Sequence, residues 1–195
     1  MKLATIALAF SIIAASAAEP KTTAAPKGHA SAWTGVKELV VVMQSASGSS
    51  CKGSVRFTQA GEKIKITADI EGLTPGQKHA IHVHEFGDVT APDGMGTGGH
   101  YNPEGHQHGL TSQNNRHAGD LGNLQADDKG KAHYEVIVEN ISLVGLKNPI
   151  IGRAVIIHAK ADDGGQPVGN AGARIAQGVI GLAKPPAPAP KPVSK

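Results

Sequence analysis

Aromatic side chains are scarce in this 195-residue chain, at 3% of the total, so any folded core has to be built from Val, Ile, Leu and Ala. Cysteine is scarcer still. Cys51 stands alone, which excludes an intrachain disulfide, and its place at the expected start of a strand suits a buried, inert thiol. Neither sign of charge dominates: 19 Lys and Arg oppose 16 Asp and Glu. With no basic cluster inside the domain, nucleic acid is not an expected partner. There is also no uncharged apolar run of the ~20 residues that a membrane-spanning helix needs.

The nearest approach to such a run lies at the start. Met1-Lys2 is a short basic opening, residues 3–14 are apolar except for Thr5 and Ser11, and Ala15-Ser16-Ala17 is an A-x-A cleavage pattern. Residues 1–18 therefore read as a secretory signal peptide, which predicts an exported protein, periplasmic or extracellular, with no membrane association after cleavage. Its removal takes one lysine with it and leaves 18 basic against 16 acidic residues, a net charge of +2. Residues 19–35, rich in Pro, Ala, Thr and Gly, read as a flexible linker, and residues 184–195, with five prolines in twelve, as an extended Pro-rich tail. Residues 36–183 remain for one domain with a proper core, and they contain no internal repeat.

The domain's hydrophobic period is two. Residues 63–70 show it best, with Ile64, Ile66, Ala68 and Ile70 on one face and Lys63, Lys65, Thr67 and Asp69 on the other. Further strands are expected at 36–43, 53–59, 80–86, 120–126, 132–138, 153–159 and 174–182. Eight short strands separated by turn residues, with no helical period, predict an all-β sandwich or flattened barrel.

Residues 79–120 contain seven of the ten histidines. His82 and His84 are two apart in an apolar run, so a strand there points both imidazoles to one face. His100, His108 and His117 follow in a Gly-rich stretch closed by Asp120, and His158 ends a later strand, with Asp162 and Arg174 beyond it. The Gly-rich stretch has too little apolar content to order itself, and metal ions are the obvious organisers. Neutral imidazoles suit copper and zinc, and a carboxylate among three histidines suits zinc.

The segments GLTPGQKHAIHVHEFGD, GGHYNP, RHAGDLGN, IIGRAVIIHAKADD and GNAGARIAQGVIG, spanning residues 72–181 in order, resemble the signature segments of the copper/zinc superoxide dismutases. The resemblance implies an eight-stranded Greek-key β-barrel with two long functional loops, and the dismutation of superoxide to dioxygen and hydrogen peroxide. It implies copper bound by His82, His84, His100 and His158, and structural zinc bound by His100, His108, His117 and Asp120. His100 would be shared as a bridging imidazolate that takes up a proton during turnover. Asp162 would hydrogen-bond one histidine of each set, and Arg174 would guide the superoxide anion beside the open copper position. The segments 149–152 and 178–181 resemble the apolar edges through which many members form a homodimer. His79 is expected to make a structural hydrogen bond, His106 lies beside the zinc loop, His29 falls in the linker, and His133 is expected to face solvent.

Two departures stand out. The family usually ties its long loop to the last strand with a disulfide, but those two positions are Gly94 and Gln177 here, so metal binding is expected to hold that loop. The loop from 159 to 173 is also short and lacks the lysine and threonine often found there, with Pro167 and Val168 in their place. Weak electrostatic steering is the expected result. A non-catalytic metal-binding or delivery protein on the same fold is a rival reading, as is a structural β-domain with incidental histidines. The full set of ligands and the arginine speak against both.

Overall fold

The computed structural model describes residues 35–184. The expected signal peptide, nearly all of the linker and the Pro-rich tail beyond Lys184 lie outside them. Nine strands appear: β1 (Glu38–Ser45), β2 (Lys52–Ala60), β3 (Lys63–Glu71), β4 (Lys78–His84), β5 (Asp120–Gln125), β6 (Ala132–Val138), β7 (Ala154–His158), β8 (Arg174–Val179) and β9 (Gly181–Leu182). The expected eighth strand is broken at Ile180, whose side chain enters the core, and the two-residue remainder pairs with β1. One 3-10 turn, Met95–Thr97, is the sole helical element among the described residues.

All neighbouring strands are antiparallel, in the order β5-β4-β7-β8-β1-β2-β3-β6. The crossings from β3 to β4 and from β6 to β7 give the Greek-key path. The sheet nearly closes where β5 meets β6, and there the Tyr134 hydroxyl donates to the Leu121 carbonyl at 2.6 Å. Inside are Leu39, Val41, Val55, Phe57, Ile64, Ile66, Val83, Val155 and Ile157, all essentially inaccessible. The period-two reading of β3 holds residue by residue. Cys51 joins this core, and burial pushes its thiol up to about 12, so it remains protonated and unreactive.

Strands β4 and β7 differ from the rest because both faces are covered. Ile81, Val83, Val155 and Ile157 point into the barrel, whereas His82, His84 and His158 point out of it and are still buried. The cover comes from two loops, residues 85–119 and 159–173. Backbone bonds seat the first loop on β4: Tyr101 N donates to Val83 O, Val83 N to Gly119 O, and Gly119 N to Tyr101 O, each at 2.9 Å. These bonds bring His100 alongside His84.

Candidate metal centre

Two β-bulges aim the remaining polar groups. On β5 the register slips so that Ala80 opposes Asn123 but His82 opposes Asp120, with an extra residue on the β5 side. Gly122 lies in the slip at φ +91°, and a Cβ there would come 3.0 Å from the Tyr134 hydroxyl. The slip sends Leu121 into the core and turns Asp120 to the face of His82. On β8, Ile157 opposes Ala176 but His158 opposes Arg174, so Ile175 is the extra residue. Residues directly opposite in an antiparallel pair share a face, so this second slip places Arg174 beside His158.

The side chains meet in two groups. The first is His82, His84, His100 and His158, and the second is His100, His108, His117 and Asp120. Within each group, one ligand atom per residue lies within 4.8 Å of all the others, and every member is buried. His100 belongs to both. Its Nδ1 faces Asp120 Oδ1 at 3.0 Å and His117 Nδ1 at 3.4 Å, which leaves Nε2 for the first group.

In His82, His84, His108 and His158 one ring nitrogen is fixed by the protein. His84 Nδ1 donates to Gly98 O at 3.0 Å and His158 Nδ1 to Gly172 O at 3.1 Å. His82 Nε2 donates to Asp162 Oδ2 at 3.0 Å, and His108 Nε2 to Asp162 Oδ1 at 2.8 Å. The other nitrogens, His82 Nδ1, His84 Nε2 and His158 Nε2, are buried with no hydrogen-bond partner, whereas His108 Nδ1 is buried against Asp120 Oδ2 at 3.1 Å. Burying three unpaired acceptors in one place is costly unless something binds them. With His108 Nδ1 they are the nitrogens turned towards the two groups, so the arrangement fits metal ions. Four imidazoles suit copper, and three imidazoles with one carboxylate suit zinc.

The electrostatics agree. Burial, with smaller repulsion from neighbouring rings and Arg174, lowers His84 to about 2, and burial lowers His158 to about 3 and His100 to about 4, so these rings stay neutral at ordinary pH. Neutral imidazole is the form that binds a metal. At His108 burial again opposes the charge, but Asp120 and Asp162 outweigh it and raise the ring to about 9. Although burial opposes ionisation of both carboxyls, their histidine partners hold Asp120 and Asp162 well below the usual carboxylate range.

Arg174 is held at three points: Nη1 donates to Gly94 O at 2.7 Å and to Thr97 Oγ1 at 3.0 Å, and Nη2 to Gly98 O at 2.8 Å. It borders an open pocket of about 390 Å³, shared with His84, His100 and His158, whose rim includes Val168 and Asp93.

The sequence did not reveal the supports behind these groups. Asn123 grips Asp162 twice, accepting from its N–H at 2.7 Å and donating to its carbonyl at 2.9 Å. Gln166 likewise bonds both backbone groups of His108, at 3.1 and 2.8 Å. Only Asn123 left a trace, as the last letter of the RHAGDLGN segment. A side chain on Gly169 would collide with Asp162 Oδ1 and His108 Nε2, so the second loop can approach only as glycine. Of the other histidines, His79 is buried and satisfied, with Nδ1 to His158 O at 2.9 Å and Nε2 accepting from Thr74 N at 3.2 Å. His106 bonds Arg116 O and joins neither group, and His133 is exposed beside Asp69.

Comparison with known proteins points the same way. The family model described as copper/zinc superoxide dismutase matches residues 51–180. A Cu-Zn superoxide dismutase of Paramecium bursaria Chlorella virus 1 is 49% identical over 141 residues, covering 68% of this chain and 74% of the viral protein. A second, from Brassica juncea, is 46% identical over 151 residues, covering 73% and 96%. Among solved structures, the clock protein EA4 superposes with a TM-score of 0.69 at 38% identity, covering 76% of this chain and 96% of that one. With its barrel, its paired histidine groups and these matches, the chain belongs to the copper/zinc superoxide dismutase family.

Proposed function

We propose that His82, His84, His100 and His158 hold the copper of this superoxide dismutase, and that His100, His108, His117 and Asp120 hold its zinc. The three unpartnered ring nitrogens, with His108 Nδ1 gathered against Asp120, carry this reading. Copper supplies one-electron cycling between two superoxide anions, and zinc, which has no redox chemistry, supplies charge and order. The remaining work falls to the chain. Arg174 presents a fixed cation to a small anion in the pocket, and its three acceptors hold the guanidinium in place before substrate arrives. His100 takes up and returns a proton at Nε2, its Nδ1 being committed to the Asp120 side. Asp162 accepts from Nε2 of both His82 and His108, which turns Nδ1 of each ring towards its metal group.

The test measures metal content and superoxide decay on one reconstituted sample. About one copper and one zinc per chain is expected, with the rate sharply lower in Arg174→Ala and abolished in His84→Ala. Full metal content with negligible turnover in the parent protein would favour metal delivery instead.

The same proposal includes a homodimer. Phe86 is 59% and Val179 is 40% exposed, and half-buried Ile151 precedes Gly152, which is bonded to Ile180. Gly87, next to Phe86 in the chain, comes close to Val179, since a Cβ there would be 3.3 Å from Val179 Cγ1. Ile150 and Ile180 belong to the barrel core, so the proposed patch rests on Phe86, Ile151 and Val179. Sedimentation velocity should give twice the chain mass, and the monomer mass for Val179→Glu. Export is supported by the signal-like residues 1–18.

A further inference from the structure

Gln177 is buried on β8, three residues after Arg174, and opposes Ile156 on the outer face of β7. It thus shares the covered outer side of the sheet with the histidines. Its Nε2 donates to two backbone carbonyls of the first loop, Ala91 O at 2.9 Å and Val89 O at 3.3 Å. A Cβ on Gly94 would lie 3.6 Å from Gln177 Oε1 and 3.2 Å from Arg174 Cδ, so glutamine, loop and arginine form one packed unit. Ala91 O in turn accepts from Gly94 N at 3.0 Å, and Gly94 O is an acceptor for Arg174. Thr97 follows one turn later, bonded to Gly94 O through both its N–H and its hydroxyl. Other bonds fix the ends of this stretch: Ser47 N to Pro92 O, Phe86 N to Thr97 O and Glu85 N to Gly99 O. Across 89–91 the carboxamide is the one side-chain tether to the barrel among the described residues.

We propose that Gln177 is a positioning residue for superoxide capture, clamping the 89–94 segment so that Gly94 O, Thr97 Oγ1 and Gly98 O lie where they hold the Arg174 guanidinium. The proposal rests on the assignment of Arg174 as the anion-guiding residue. The clamp is polar and independent of redox conditions, and it stands at the positions where the family's covalent tie is missing. Its unpartnered Oε1 means that the amide is oriented by its donor side, which is the side that matters here.

The test uses Gln177→Met, which keeps the length and volume but removes the donor, in protein loaded with copper and zinc. Superoxide turnover and azide affinity are measured in the parent and in Arg174→Ala. Losing one to two positioning hydrogen bonds should lower both readings by roughly 3- to 10-fold when Arg174 is present. The same substitution should change them by less than about 1.5-fold when Arg174 is alanine, because the two side chains act as one unit. Amide hydrogen exchange of residues 93–98 should rise in Gln177→Met whatever the turnover. Equal losses with and without Arg174, or parental azide affinity together with parental exchange, would overturn the proposal. Should Gln177→Met fail to fold, Gln177→Asn gives the same comparison, with the amide one methylene short of the carbonyls. An Arg174→Ala protein with undiminished turnover would instead overturn the assignment of Arg174, while the exchange measurement still decides whether Gln177 clamps the loop.

Discussion

Besides the shared His100, Asp162 joins the two metal groups from behind, and replacing it by asparagine tests that joint with almost no change of shape. The carboxylate accepts from His82 Nε2 at 3.0 Å through one oxygen, and from His108 Nε2 at 2.8 Å and Gly164 N at 2.9 Å through the other. An amide offers a single oxygen, so its NH2 must face one of the two imidazole N–H groups. That ring can leave two donors opposed, or it can move its proton to Nδ1. At either histidine Nδ1 is the nitrogen turned towards its metal group, so both outcomes weaken binding. Leaving a buried donor unsatisfied costs about 1–3 kcal/mol. At about 1.36 kcal/mol per decade that is roughly a 5- to 150-fold loss of metal affinity. Chelator competition read by mass spectrometry would measure it for both metals, with hydrogen exchange confirming an unchanged barrel. Copper and zinc affinities both within twofold of the parent would refute the reasoning. Asp162→Leu, which removes both acceptors, should be worse than Asp162→Asn.

Metal removal should lower the melting temperature substantially, because no covalent tie spans the loops. Ions at 100 times their dissociation constant add about 2.7 kcal/mol, or roughly 5–11 °C for a domain of this size, and equal melting of loaded and metal-free protein would refute this. Zinc uptake should weaken about tenfold per pH unit below about 9, where binding must displace the His108 proton, as isothermal titration at several pH values would show. In the metal-free protein the raised His108 stabilises the fold fully below about 6.5, and that contribution is lost as pH rises through about 9. The lowered His84, His100 and His158 act oppositely, withdrawing stability as pH falls below about 6.5, so denaturant midpoints should peak near neutrality. Turnover should fall only gently with ionic strength, since the acidic Asp93 lines the same pocket as Arg174; a steep fall would mark strong steering.

How much of this was legible in the sequence depended on the range over which each signal acts. The period of β3 is local, and it was read correctly down to single residues. The histidine groups were legible from residue type and from the resemblance, and every ligand candidate named from the sequence lies in one of the two groups. What could not be read was how Asp120 and Arg174 come to face them. Strict alternation carried back from Leu124 through Gly122 would point Asp120 into the barrel, and the correction is a one-residue slip that no hydrophobic pattern reveals. The supports were hidden for another reason. Thr97, Asn123, Gln166 and Gln177 are ordinary polar residues whose partners lie distant along the chain, up to 88 positions away for Gln177 and Val89. Only the folded barrel brings them together. Breaking the eighth strand at Ile180 likewise depends on the paired bonds of Gly152 and Arg153, not on any feature of residues 174–182 themselves.

The two bulges have a consequence beyond aiming Asp120 and Arg174. Each shifts the phase of its strand midway, so one stretch of chain answers to the oily interior on one side of the slip and to the ion-binding face on the other. Substitutions that tune Leu124 or Ala176 for packing are thereby decoupled in orientation from those that tune Asp120 or Arg174 for chemistry. Closing the second bulge without removing a residue would keep every ligand in the chain and every strand in the sheet, yet set Ile175 opposite His158 and bring the guanidinium out of step with its anion pocket. The barrel is in this sense two sheets spliced together, and the splice points are single residues.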